Sequence, residues 1–204
     1  MDPRTRSVLL TVPRRISQRR ALAWASEHRL WIERQLAEIP PPRIFAPGEI
    51  VPVHGEPHVI DWAAARPRKP RLEAGRLVCG GPLEGLDRRI LRWLKAEALA
   101  LLTQETRDYA RIAGAKLTSV GIGDPVSRWG SCSSKGAIRY SWRLILAPEF
   151  VRRASVAHEV AHLVHLNHGP DFHALVAEIF GADPQPARAW LKREGAALHR
   201  IGPR

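Results

Sequence analysis

The chain has 204 residues, 45% of them hydrophobic and seven of them Trp, enough for one packed core or for a small domain joined to a larger one. No run of eighteen apolar residues occurs, which excludes a transmembrane helix, and the basic stretch Met1–Arg20 lacks the apolar core and cleavage site of a signal peptide. Two cysteines, Cys79 and Cys132, exclude a disulfide framework and predict a reducing, cytoplasmic setting with no membrane partner. The net charge is +12, and 27 of the 32 basic residues are Arg. Such a charge suits a nucleic-acid partner held through phosphates. Its clusters, Arg14-Arg15 with Arg19-Arg20 and Arg66 to Arg71, carry no interleaved aromatics, so solvated surface charge is the favoured reading.

Taken in order, Ser7–Val12 reads as a short strand ended by Pro13. Ser17 then caps one helix through about Glu38, with Ala21, Trp24, Trp31 and Leu36 at helical spacing and its Trp residues expected in the core. Pro40, Pro41 and Pro42 stop it. From Phe45 to about Leu86 short extended pieces (Glu49–Val53, His58–Trp62, Arg71–Glu73, Arg76–Cys79) alternate with Gly, Pro and charge, as in a small antiparallel sheet of hairpins. Gly55 and Pro57 separate His54 from His58, which are therefore expected at the surface and not as a helical metal pair.

Asp87 is expected to cap a long helix ended by Gly114. A strand over Leu117–Ile122, a Gly/Ser loop over Ser127–Gly136 and a strand over Ile138–Leu146 follow. Alternation would place Arg139, Ser141 and Arg143 on one face of that last strand. Pro148 opens a helix expected over Glu149–Leu166, and two more are expected over Phe172–Phe180 and from Pro184 to about His199. This texture divides the chain into an N-terminal strand–helix and small β region, 1–86, and a catalytic region, 87–204, packed as one unit.

The stretch that carries chemistry is Ala157-His158-Glu159-Val160-Ala161-His162. Residues four apart stack on one helix face, so His158 and His162 can present imidazoles to one metal ion. Glu159 lies one step round, where a general base can reach a water at the metal's open position. Five of the nine histidines, His158, His162, His165, His168 and His173, fall within sixteen residues. A catalytic zinc site has three protein ligands and one open position, so a third is needed. His168 follows the helix end, between Asn167 and Gly169, which tolerate the left-handed backbone a tight return could use. The rivals are His165, roughly 10 Å along the axis from His158 if the helix continues, and His173 and Glu178 in the next helix.

Ser127-Arg128-Trp129-Gly130-Ser131-Cys132, Leu144–Pro148, His158–His162 and Asn167-His168-Gly169-Pro170-Asp171-Phe172 together resemble the YgjP-like metallopeptidase family. They are similar, more distantly, to SprT-like zinc proteases, which share a downstream His-Gly element followed by an aromatic. The resemblance is strongest over residues 120–180, with a weaker match at Leu10–Pro13 and Phe45–Gly48. It implies an α+β zincin-like domain with a small antiparallel sheet beside the HExxH helix, and His158, His162 and His168 as ligands of Zn2+. The sequence departs from the family at Arg152-Arg153-Ala154-Ser155, where more apolar residues are usual, and at its N-terminal strand, which reads as shortened. His165 stands where the metzincin pattern has Gly, so that subclass is not implied.

Cys132 has no assigned base and reads as a structural thiol. Arg128, Arg139 and Arg143 are candidate cleft residues, able to stabilise an oxyanion or a bound phosphate. The leading expectation is a zinc metallopeptidase in which Glu159 is the general base and an edge strand near 138–146 holds an extended peptide or protein substrate. The alternatives are metal-dependent hydrolysis of a nucleoside triphosphate at the same site, and a basic nucleic-acid-associated module with structural zinc.

Overall fold

Among the residues the structure describes, two small sheets and six helices make a mixed α+β architecture. The structure, a computed structural model, describes residues 8, 10–13, 15–38 and 43–202. The strand expected at Ser7–Val12 lies partly outside these residues, and those described there form no strand. The stop expected at Pro40–Pro42 also lies outside them. No helix is long and apolar enough to cross a membrane among the described residues.

Ser17 caps α1 (Gln18–Glu27), its Oγ accepting from the Arg20 N–H at 3.4 Å. The single helix expected there is two helices. The His28 Nδ1–H donates to the Trp24 carbonyl at 2.8 Å, a side-chain claim on the backbone that coincides with the break before α2 (Arg29–Glu38). The expectation that its Trp residues enter the core is also corrected, because Trp24 and Trp31 are about half exposed, at 49% and 56%.

The first sheet contains β1 (Ile50–Val53), β2 (Glu56–Trp62), β3 (Arg71–Glu73) and β4 (Arg76–Cys79) in the order β1-β2-β4-β3. It is not wholly antiparallel. The link 63–70 carries β3 to the far edge, so β4 returns beside β2 in the same direction. The β1–β2 turn has positive φ at both His54 and Gly55, the two-residue geometry that suits strand twist. A Cβ on Gly55 would lie 2.7 Å from Pro148 Cα, so this hairpin tip seats directly on the start of the metal-site helix.

His54 is therefore not simply a surface residue. It is half-buried, and its Nδ1 accepts from Arg152 Nη1 at 3.3 Å. Burial first, and the Arg152 charge second, hold its pKa below the ordinary histidine value. The unfolded chain takes up this proton near its ordinary pKa of about 6.5, which the folded chain resists. His54 thus costs no stability above that pH, and stability falls as the pH drops below it. His54→Asn, which keeps a residue tolerant of positive φ, is expected to flatten this acid-side loss in thermal melts across the histidine range.

Gly85, with φ +76°, precedes α3 (Leu86–Ile112), so Asp87 lies in the first turn and is not the cap. A stripe of Ile90, Leu94, Ala98, Leu102 and Tyr109 on α3 faces the core. The second sheet joins β5 (Ser119–Gly123), β6 (Gly130–Cys132) and β7 (Ala137–Ser141) in the order β5-β7-β6, with β5 parallel and β6 antiparallel to β7. The expected strand to Leu146 stops at Ser141. There the Ser141 Oγ accepts from the Arg143 N–H at 3.3 Å and starts a 3-10 turn (Trp142–Leu146), all of it buried.

After Pro148 comes α4 (Glu149–Ala161), then α5 (Pro170–Phe180), closed by Gly181 at φ +77°, and α6 (Gln185–Leu198). Arg152 and Arg153 fasten α4 to α3. Arg152 is buried and its guanidinium bonds both Glu105 oxygens at 2.9–3.1 Å, while Arg153 Nε donates to Tyr109 Oη at 3.0 Å. One hydrophobic core, from Val51 and Leu77 through Leu94 and Trp142 to Phe172 and Ile201, draws on both the N-terminal β region and the rest.

Candidate metal centre

α4 ends at Ala161, earlier than the pattern suggested, and His162 is its C-cap. His158 and His162 still lie one turn apart, with ring centroids separated by 5.0 Å. The chain turns through 162–165, where the His162 Nδ1–H donates to the His165 carbonyl at 3.0 Å. That bond fixes the ring orientation and leaves Nε2 as the free nitrogen, as backbone carbonyls do behind ligating histidines. His168 comes back over the helix end to within 5.1 Å of the His158 ring and 4.7 Å of the His162 ring. Neither Asn167 nor Gly169 uses a left-handed backbone for this return; Gly169 is extended, at φ −74° and ψ −179°.

Ligand nitrogens of His158, His162 and His168 lie within 4.8 Å of one another, the group of this kind among the described residues. The Nε2 atoms of His158 and His168 are 3.3 Å apart. A tetrahedral ion with bonds of about 2.0–2.1 Å sets neighbouring nitrogens about 3.3–3.4 Å apart, so the spacing fits a metal that takes imidazole. Burial is the main force holding His158 down to about pKa 4 and His162 below its ordinary value, which keeps both rings neutral and ready to ligate. Of the rivals, His165 contributes its carbonyl to the turn, and His173 Nδ1 faces Arg188 Nη2 at 3.5 Å. Neither they nor Glu178 join the group.

Phe172 forms the floor, fully buried with its ring 4.5–4.9 Å from all three histidine rings. Spacing alone gave it no role; only its place after His168-Gly169 in the family-like segment marked it. Gly130 is a second residue that pattern reading passed over. Glu159 is 7% exposed and presses against it, so a Cβ on Gly130 would lie 2.5 Å from Glu159 Cγ and 2.6 Å from Oε1. Burial pushes the Glu159 carboxyl up to about pKa 7, with Arg128 pulling the other way. A carboxyl poised near neutrality suits a proton acceptor and donor.

Gly130→Ala is accordingly expected to displace Glu159 and lower kcat/KM by about a hundredfold, the scale of an ångström misplacement. Metal content should be unchanged, because the three atoms nearest to a Cβ at Gly130 all belong to Glu159, which is not one of the three histidines. Steady-state kinetics beside elemental analysis checks both halves.

The three candidate arginines separate. Arg128 is exposed and lines the cavity at Glu159. Arg139 is exposed and borders a neighbouring hollow with Arg128 and Asp124, its Nε donating to the Ile122 carbonyl at 3.2 Å. Arg143 does not reach the cleft. It is 1% exposed, pairs with Asp124 at 2.7 Å and donates to the Leu198 and Ile201 carbonyls, tying the end of α6 to the core. The reason is the 3-10 turn, which abolishes the strand alternation after Ser141. Cys132 has its pKa raised by burial first and Glu159 second, the reverse of an activated thiolate.

β7 is the central strand of its sheet, which corrects the expectation that it offers an edge; β6 is the edge beside α4. Between β6, α4 and α6 opens a cavity of about 280 Å³ that reaches both His158 and Glu159. Trp129 forms one wall, stacked on His199 with centroids 4.9 Å apart and lying so close to Gly195 that a Cβ there would be 2.8 Å away. Neither the curated proteins nor the solved structures yield a match to the chain. The family whose model does match is the YgjP-like metallopeptidase domain, over residues 2–194. With three histidines that could hold its metal and a match over nearly the whole length, the chain belongs to the YgjP-like metallopeptidase family, a family of metal-dependent hydrolases.

Proposed function

We propose that the protein is a zinc-dependent peptidase of zincin type, with His158, His162 and His168 holding the ion and Glu159 as general base. One observation carries this over a structural zinc site: the cavity that opens onto His158 and Glu159 together. A structural site closes its fourth position with a protein ligand, whereas three histidines beside an open cavity leave one free. When bound, zinc supplies a Lewis acid that polarises a carbonyl and acidifies water.

The rest belongs to the chain. Phe172 and the His165 carbonyl hold the imidazoles in position. Glu159, desolvated against Gly130, takes a proton from the attacking water at its carboxylate and passes it to the leaving amine. β6, at the sheet edge next to α4, offers backbone groups to an extended peptide. Hydrolysis of a nucleoside triphosphate finds less support. Arg143, one of the cations it would draw on, is spent on Asp124 and the α6 terminus.

The test sets a quenched fluorescent peptide library beside nucleoside triphosphates. Peptide cleavage that disappears on chelation and returns with zinc is expected. Phosphate release from triphosphates without any peptide cleavage would overturn the reading.

A further inference from the structure

The cavity beside Glu159 has walls of a definite chemistry. Ala154, Val176, Ala187 and Leu191, together with the Trp129 ring, make it apolar. Ala187 and Val176 are fully buried from solvent and fix its shape from α6 and α5. At about 280 Å³ it is at the small end of ligand pockets, sized for a single residue and not for a large cofactor.

Two guanidinium groups, Arg128 and Arg188, complete the lining. Three arginines elsewhere in this part of the fold are matched to acids: Arg143 to Asp124, Arg152 to Glu105 and Arg153 to Glu149. Arg128 acts on the Glu159 carboxyl, whereas Arg188 has no carboxylate ion pair among the described residues and its Nη2 faces His173 Nδ1 at 3.5 Å. Arg188 is moreover half-buried, so part of its hydration is already lost. An apolar pocket carrying a planar cation with no acid of its own, Arg188, is complementary to an apolar side chain with a carboxylate close by.

Resting on the peptidase reading above, we infer that this cavity is the specificity pocket for the substrate residue beside the scissile bond, and that it selects a large apolar residue accompanied by a carboxylate. The carboxylate is either the peptide's own C-terminus or an acidic side chain next in sequence. Arg188 and Leu191, one turn apart on α6, are the residues that read the two features.

The probes are small, and only the last of them carries a bond between two residues, for which the metal-free titration reads the uncut molecule: N-acetyl-leucine, its amide, N-acetylglycine and N-acetyl-leucyl-glutamate amide. Each is titrated into wild type and Arg188→Gln, zinc-loaded and metal-free, following backbone amide shifts. N-acetyl-leucine is expected to move the amides of Gly130, Ala187 and Leu191 saturably in both metal states. Replacing the carboxylate by the amide should weaken binding about tenfold, as loss of a charged hydrogen bond does. Replacing Leu by Gly should weaken it about tenfold through lost apolar burial. Arg188→Gln should erase the preference for acid over amide.

The acetyl-leucyl-glutamate amide decides the source. Binding as tight as N-acetyl-leucine points to an internal acidic residue, and weak binding to a free C-terminus. Equal affinity for acid and amide, an acid preference that survives Arg188→Gln, or no saturable shift at these amides would overturn the proposal. The metal-free titration separates this result from the function above. Failure of the peptidase reading appears as absent chelator-sensitive cleavage with probe binding intact. Failure of the pocket assignment appears as cleavage with unselective binding.

Discussion

Glu159→Gln is expected to reduce hydrolysis by about 10²–10⁴-fold, the range of a lost general base, while the protein keeps its full metal content. The side chain is buried against Gly130, where an isosteric amide fits without new contacts. Gln can still hydrogen-bond to water, but it cannot take up a proton. No metal is lost because the group that could hold an ion consists of His158, His162 and His168 without Glu159. Measuring kcat/KM and metal content on the same samples isolates proton transfer from binding. Undiminished turnover in this variant would remove Glu159 from the mechanism.

His168→Ala carries the second large effect, on metal affinity itself. His168 is exposed and lies in the turn after α4, so its removal leaves the packed Val160 untouched and takes from the buried Phe172 one of its three histidine ring contacts. Two nitrogens remain on one helix, and a catalytic zinc site normally has three protein ligands. Loss of outer-sphere partners alone weakens metal binding about 10–100-fold, and loss of a direct ligand should exceed that. Competition titration against a chelating dye is expected to show a drop of at least about a hundredfold, with hydrolysis falling in parallel. The metal-free forms of both proteins should melt alike. A variant that binds zinc as tightly as wild type would show that His168 stands beside the site without serving it.

Much of this site is local in sequence, which is why it is legible there. The i, i+4 spacing of His158 and His162 on a helix dictates their common face, and His168 lies only six residues beyond. The short strands between Glu49 and Cys79 were also readable, because Gly, Pro and charge bound them tightly. What could not be read is set by contacts between distant segments. Strand alternation ends where Ser141 caps a 3-10 turn, and Arg143, inside that turn, finds Asp124 and the Leu198 and Ile201 carbonyls, which lie far away in sequence.

The parallel pairing of β2 with β4 depends on the path of the 63–70 link, not on the composition of either strand. Gly130 matters because Glu159, from another element, occupies the space where its side chain would be. Trp24 and Trp31 show the converse, since helical spacing of apolar residues predicted burial that tertiary packing does not provide.

The most direct measurement is elemental analysis of untagged, gel-filtered wild-type protein, followed by zinc titration of the chelator-stripped form. About one zinc per chain, removed by chelation and taken up again with saturation at one equivalent, is the predicted result for a three-histidine site. Protein that carries no metal and takes up none on titration would contradict it, leaving three convergent histidines without an ion and the proposed chemistry without its Lewis acid.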